Sequence, residues 1–158
     1  MTRRENFFKA IQFKGPEWVP LNTGYCPEPY KSMGDCMCVS YKAAAPGEWP
    51  YHFTKLDGDK TIGQVLEHPL KTVQAIMDFK APLIAPELRF EGLKERVDEL
   101  KKKDLFVFGT MASYFFERMH YLVGMVDLFD YLYNEPEAIQ SLGDKIVDFQ
   151  CAMIKEYA

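Results

Sequence analysis

Two groups of side chains in this chain have types and spacings that chemistry can use. Thr110, Tyr114, Glu117, Arg118 and His120 lie around one junction in the sequence and form the candidate substrate-binding set. Glu117 could accept a hydrogen bond from a substrate, Arg118 could hold an anion, and His120, three residues after Glu117, could be oriented by that carboxylate. The plainer reading, which the pattern favours, makes Glu117 and Arg118 an ion pair clamping the junction to the first helices and His120 a core or rim residue. Tyr114 and Phe115 either line an aromatic pocket or fill a packed layer. The second group is Cys26, Cys36, Cys38 and His52, thiols and an imidazole of the kind that zinc takes tetrahedrally. The tight Cys-x2-Cys pairing of structural zinc sites is missing, so the spacing favours reduced loop cysteines over a metal site.

The first set needs an element that brings it to one place. Leu105–Phe108 is a short apolar run that fits a buried strand, Gly109-Thr110 interrupts it, and from Ser113 onward Phe115, Phe116, Met119, Leu122 and Val123 recur at helical spacing. Strand, elbow and helix follow in that order. The loop leaving the C-terminal end of a parallel strand gathers side chains and free helix N–H groups, so ligand chemistry is expected near Thr110–Glu117.

Elsewhere, Thr2-Arg3-Arg4-Glu5 has capping-box spacing ahead of a short helix, and Trp18-Val19-Pro20-Leu21 reads as a short strand or extended segment, the candidate first strand if the fold is a barrel. The stretch 22–47, rich in proline and glycine and holding three of the four cysteines, is expected to be a long irregular loop. Trp49–Leu56 reads as a strand or hairpin arm with Asp57-Gly58-Asp59 as its turn. His68-Pro69 is expected to open a helix, a second helix to run from about 87 to 103, and Asn134 to cap the last one with Glu137 at the capping-box position. That last helix carries the seam Ile139, Leu142, Ile146, Phe149, Met153 and Tyr157. Many helices and few, well-separated strands predict a single domain, 1–158, of helix-rich α/β class.

At 47% apolar and 27% charged residues the composition is that of a folded globular chain, not a disordered one. A net charge of -4 argues against a nucleic-acid surface, and Lys101–Lys103 reads as a solvated helix end that suits the negative end of the dipole. No stretch has the apolar length for a membrane span, and Glu5, Lys9 and Gln12 interrupt any signal-like core, so a cytoplasmic protein without membrane contact is expected.

Four stretches taken in order resemble the uroporphyrinogen decarboxylase-like superfamily: TRRENFFKAIQFKGPEWVP, GQVLEHPLKT, LFVFGTMASYFFERMHYLVGM and YNEPEAIQSLGDKIVDF. The family comprises uroporphyrinogen decarboxylases and corrinoid-linked methyltransferases on a TIM-type (β/α)8 barrel. The resemblance therefore implies that the chain is the N-terminal portion of such a barrel, which takes ~250 residues or more. It implies self-association or a missing C-terminal half, a corrinoid protein as partner, a small-molecule substrate, and zinc as the family's cofactor. The decarboxylases hold their substrate's carboxylates with an Arg-Gln-Ala-Gly-Arg-Tyr motif after the first strand, where this sequence reads Asn22-Thr23-Gly24-Tyr25-Cys26-Pro27. Arginine's fork suits paired carboxylates, so its absence disfavours decarboxylation. The methyltransferase or O-demethylase branch is expected instead, with Tyr25 joining the substrate mouth. That branch's zinc ligands, a His-x-Cys pair and a later Cys, belong to the second half of the barrel, so this portion alone is expected to be incomplete for catalysis. The alternatives are a decarboxylase acting on a tetrapyrrole carboxylate and a non-catalytic half-barrel that pairs with another chain.

Overall fold

A computed structural model of the chain describes residues 1–23, 33–58 and 60–158. They form two compact units, Met1–Lys42 with Phe90–Met111 and Ala43–Arg89 with Ala112–Ala158.

The first unit begins with α1, Arg3–Ile11, capped as its sequence requires: Glu5 N donates to Thr2 Oγ1 at 3.1 Å and Thr2 N to Glu5 Oε2 at 2.9 Å. Its two-stranded sheet pairs β1, Cys36–Ser40, with β4, Phe106–Thr110, in parallel, from Cys36 opposite Phe106 to Ser40 opposite Thr110. Helix α1 covers this sheet, with the Phe7 ring stacked on Phe106 at 4.1 Å and Phe8 edge-on to it at 5.1 Å. Helix α4, Leu93–Lys102, precedes β4 and ends in exposed Lys101–Lys103.

Three sequence expectations are corrected here. The stretch 22–47 contains β1, because Cys-Met-Cys-Val is a short apolar run whose backbone pairs with β4 despite the prolines and glycines around it. Trp18–Leu21 is no strand. Pro20 lacks a donor, and the neighbouring backbone is held by side chains: Leu21 N donates to Asp35 Oδ2, while Glu17 N and Trp18 O bond the amide of fully buried Asn6. Only Asn22 forms a bridge, to Cys36. The single helix over 87–103 is two, α3, Pro86–Arg89, and α4, separated at Gly92 with φ 70°.

The second unit carries the short antiparallel pair β2, Phe53–Thr54, and β3, Gln64–Val65, followed by α2, Val73–Asp78, α3, α5, Phe115–Val123, α6, Met125–Asn134, and α7, Pro136–Tyr157. Its core gathers Trp49, Ile76, Phe79, Met119, Leu122 and Leu128 with the expected α7 seam from Ile139 to Met153. Lys145 of α7 donates to Ile76 O and Met77 O, supplying partners for carbonyls at the end of α2.

Local signals are overridden in this unit too. His68-Pro69 does not start a helix: Leu70 N is spent on Leu122 O at 2.9 Å, and α2 begins later, with Thr72 Oγ1 accepting from Ala75 N. The cap before α7 is Glu135, with Pro136 at the first helical position, while Asn134 turns back to donate to Asp130 Oδ1. The described residues are thus helix-rich mixed α/β, with two two-stranded sheets and no closed barrel. No described helix is long and apolar enough to cross a membrane.

Candidate functional site

The elbow residues of the second unit are held by α5. Glu117 Oε2 accepts from Tyr114 N at 2.9 Å, closing the start of the helix rather than pairing with Arg118. Arg118 turns inward, 3% exposed, and its guanidinium donates from Nε to Ser113 O and from Nη2 to Ala112 O while lying 3.8 Å over the Trp49 ring. The expected Glu117-Arg118 ion pair is not formed; Arg118 instead meets the Ser113 and Ala112 carbonyls and the Trp49 indole. Ser113 has φ 56°, a left-handed position, and Arg118 fixes the carbonyls on either side of its peptide nitrogen.

A second buried arginine is not singled out by the sequence. Arg89, 1% exposed, makes a two-pronged ion pair with Glu48, Nη1 to Oε1 at 3.0 Å and Nη2 to Oε2 at 2.7 Å, and donates further to Leu83 O and Ile84 O. Arg89 and Arg118 both lie near the Phe149 ring, at 5.1 and 5.9 Å. Only long-range packing reveals the ion pair, since β2, β3 and α2 lie between Glu48 and Arg89 in the chain.

His120 sits one turn along α5, half-buried, with its ring 4.3 Å from Tyr121 and 6.0 Å from Phe116. Burial, and then the neighbouring His68, pull its pKa below the ordinary histidine value, with Glu117 opposing them. Burial pushes the Tyr121 phenol up, assisted by Glu117 and Tyr51. Tyr121 in turn packs against Tyr51 at 5.2 Å and Phe53 at 5.1 Å.

His68 links this aromatic cluster to a cleft. Its Nδ1 lies 3.0 Å from Tyr121 O; a carbonyl can only accept, so Nδ1 carries a proton. The ring rests on Gly124, whose φ is 96° and where a Cβ would come within 2.9 Å of His68 Cδ2. The cleft is about 390 Å³ and is lined by Pro50, His52, Thr54, Leu66, Glu67, His68 and Pro69. The sequence marks His52 as a metal candidate and His68 only as a helix opener; nothing local signals that they share a cleft.

Of the remaining candidates, Thr110 ends β4 in the first unit, opposite Ser40, and Tyr114 is largely exposed. Glu117, Arg118 and His120 share α5 but point to a helix end, the core and the His68 cluster respectively. Tyr25 and Cys26 lie outside the described residues, as do Gly24, Pro27, Pro29 and Asp59.

The described thiols and imidazoles do not fit zinc. Cys36 and Cys38 share one face of β1. Cys36 donates its proton weakly to Leu21 O, and burial, then Asp35 and Cys38, push its thiol pKa up. Among the described residues no group of three or more His, Cys, Asp or Glu is placed to hold a metal ion.

A second cavity, about 370 Å³, is apolar and lies between α5, α6 and α7, with Phe115 and Phe116 in its lining. The Phe115 ring lies over Gly143, where a Cβ would come within 3.2 Å of it.

Comparison of the chain with family models, with curated proteins and with solved structures gave no match.

Proposed function

We propose that the chain belongs to the uroporphyrinogen decarboxylase-like superfamily, in its corrinoid-dependent methyltransferase or O-demethylase branch, and contributes the substrate-binding mouth of a (β/α)8 barrel. The observation that carries this reading is the parallel register of β1 with β4 over five residue pairs, with β4 leading through residues 111–114 into α5. Parallel strands followed by helices are the repeating unit of such barrels, and ligand contacts come from the loops after the strands. The order of the four sequence segments supports the same reading, and the absence of arginine forks at 22–27 favours methyl transfer over decarboxylation. Zinc would be held by the family's second half, on the same polypeptide or another, because the described residues here do not fit it. No catalytic step is therefore assigned to this chain's thiols.

The test pairs the purified chain with a separately produced C-terminal half from a methyltransferase of that superfamily. Association is read by sedimentation, and demethylation of methoxyaromatics, methanol and methylamines is read with zinc and a reduced corrinoid present. Association with methyl transfer only in the mixture is the expected result. Decarboxylation of a uroporphyrinogen by the mixture would replace the methyltransferase reading with the lyase one, and failure of the halves to associate would overturn the barrel reading.

A further inference from the structure

Helices α5, α6 and α7 pack on one another, yet they leave between them the apolar cavity of about 370 Å³. Packed helices ordinarily interdigitate without voids larger than a water molecule, so a hollow of this size is set by particular residues. Met119, Leu128 and Ile139 line it and are buried, which makes them its floor. Phe115 and Phe116 of α5 give it an aromatic wall, and Leu132 of α6 and Val147 of α7 stand at its edge; all four are exposed large apolar side chains. Gly143 sets where the wall stands. It lies inside α7, where glycine weakens a helix, and it admits the tip of the Phe115 ring to 3.2 Å from the point a Cβ would occupy.

The lining turns polar on α7, where Gln140 Nε2 donates to Asp144 Oδ1 at 2.7 Å and so holds a carboxylate beside the apolar space. A volume of about 370 Å³ lies at the small end of small-molecule sites, which run from about 300 to 1,000 Å³. A dry apolar cavity of about 150 Å³ takes one benzene ring, so two fused rings fit here. Two phenylalanine rings and the Met119 thioether favour an aromatic face over an alkyl chain, and the Asp144 carboxylate opposes an anion. We propose that this cavity binds a neutral, flat, two-ring aromatic molecule, seated on Met119, Leu128 and Ile139 and flanked by Phe115 and Phe116. Every residue of the site belongs to one compact unit, and the site does not depend on the family reading.

The experiment uses the full chain labelled with 13C-methyl methionine at about pH 7, with 2-naphthol, a neutral phenol there, and 2-naphthoate, an anion, as probes. The Met119 methyl resonance, assigned by its loss in Met119→Leu, reads occupancy of the floor. 2-Naphthol should shift it saturably, one molecule to each chain, and 2-naphthoate should bind about tenfold more weakly or less. Val147→Trp brings bulk to the edge of the cavity and should abolish the shift. Phe116→Ala removes part of the aromatic wall and should weaken 2-naphthol binding about tenfold. Both positions are exposed, so the variants keep the fold, and unchanged thermal midpoints would verify that. No saturable Met119 shift with 2-naphthol, an equal affinity for 2-naphthoate, several molecules bound to each chain, or an unaltered affinity in Val147→Trp would each overturn the proposal. So would self-association of the free chain that 2-naphthol does not reverse, since it would assign this face to a second copy.

Discussion

The guanidinium carbon of Arg118 lies 3.8 Å from the centroid of the Trp49 ring, closer than any other cation-aromatic contact described in this chain. A desolvated stack of this kind contributes up to about 2 kcal/mol. The same guanidinium satisfies the carbonyls of Ala112 and Ser113, so one side chain joins the indole in the core to the turn that opens α5. Nothing about position 118 in a helix heptad announces this, because an arginine on an amphipathic helix is ordinarily solvated.

Arg118→Ala should accordingly lower unfolding stability by about 3 kcal/mol, since it removes the stack, two charged hydrogen bonds and the packing of the stem. Arg118→Lys keeps the charge but not the planar fork and should lose about half as much. Urea denaturation of both variants, combined with Trp49→Phe in a double-mutant cycle, checks this. Coupling energies below a few tenths of a kcal/mol between 118 and 49 would show that the stack contributes little.

Glu48 answers to a different imbalance. Its carboxylate neutralises the buried guanidinium of Arg89, which also bonds Leu83 O and Ile84 O, so Glu48→Ala strips a buried cation of that countercharge. A loss of about 3 to 5 kcal/mol is expected on breaking one side of a buried pair. Glu48→Gln, which retains an acceptor oxygen, should lose less. Thermal unfolding of the two variants side by side distinguishes charge from shape: equal losses would mean that packing, not the ion pair, is what position 48 supplies.

Local periodicity governs the part of the fold that is legible in the sequence. The α7 seam and the Thr2-Glu5 cap follow from neighbours three or four residues away and are present, whereas the α5 stripe is buried at Met119, Leu122 and Val123 but leaves Phe115 and Phe116 exposed. The strand ahead of the elbow is legible for the same reason, although it runs on through Gly109 and Thr110 because β1 supplies partners that far. Expectations fail where a distant residue takes over a backbone group. Leu122 O captures Leu70 N and delays α2, while Asn6 and Asp35 replace a strand ladder at 17–21. The buried Arg89-Glu48 pair and the His52-His68 cleft are illegible for a related reason: both are made by chain segments brought together only by packing.

His120 makes stability depend on pH. Its folded pKa lies below the ordinary 6.5, owing first to burial and then to His68, with Glu117 pulling the other way. Between the unfolded value and the lower folded one, the unfolded chain binds more protons, so stability falls as pH drops through that window and levels off below the folded pKa. Urea midpoints measured from about pH 8 down to about pH 5 should decline for the native chain, and His120→Gln should flatten the part of the slope just below 6.5. An unchanged slope in the variant would assign the dependence to other groups.

Gly124 joins α5 to α6 at φ 96°, a conformation that costs an L-residue strain, and a Cβ there would meet His68 Cδ2 at 2.9 Å. Gly124→Ala must therefore either hold the left-handed backbone and push the imidazole aside or give up the turn. A stability loss of about 1 to 3 kcal/mol is expected. Displacement of the ring should also break the Nδ1 contact with Tyr121 O, freeing the His68 tautomer. The two effects are separable in one sample: calorimetry reports the strain, and the 15N shifts of His68 report the ring. A destabilised variant in which His68 still carries its proton on Nδ1 would mean that the backbone, and not the histidine, is what requires glycine at this position.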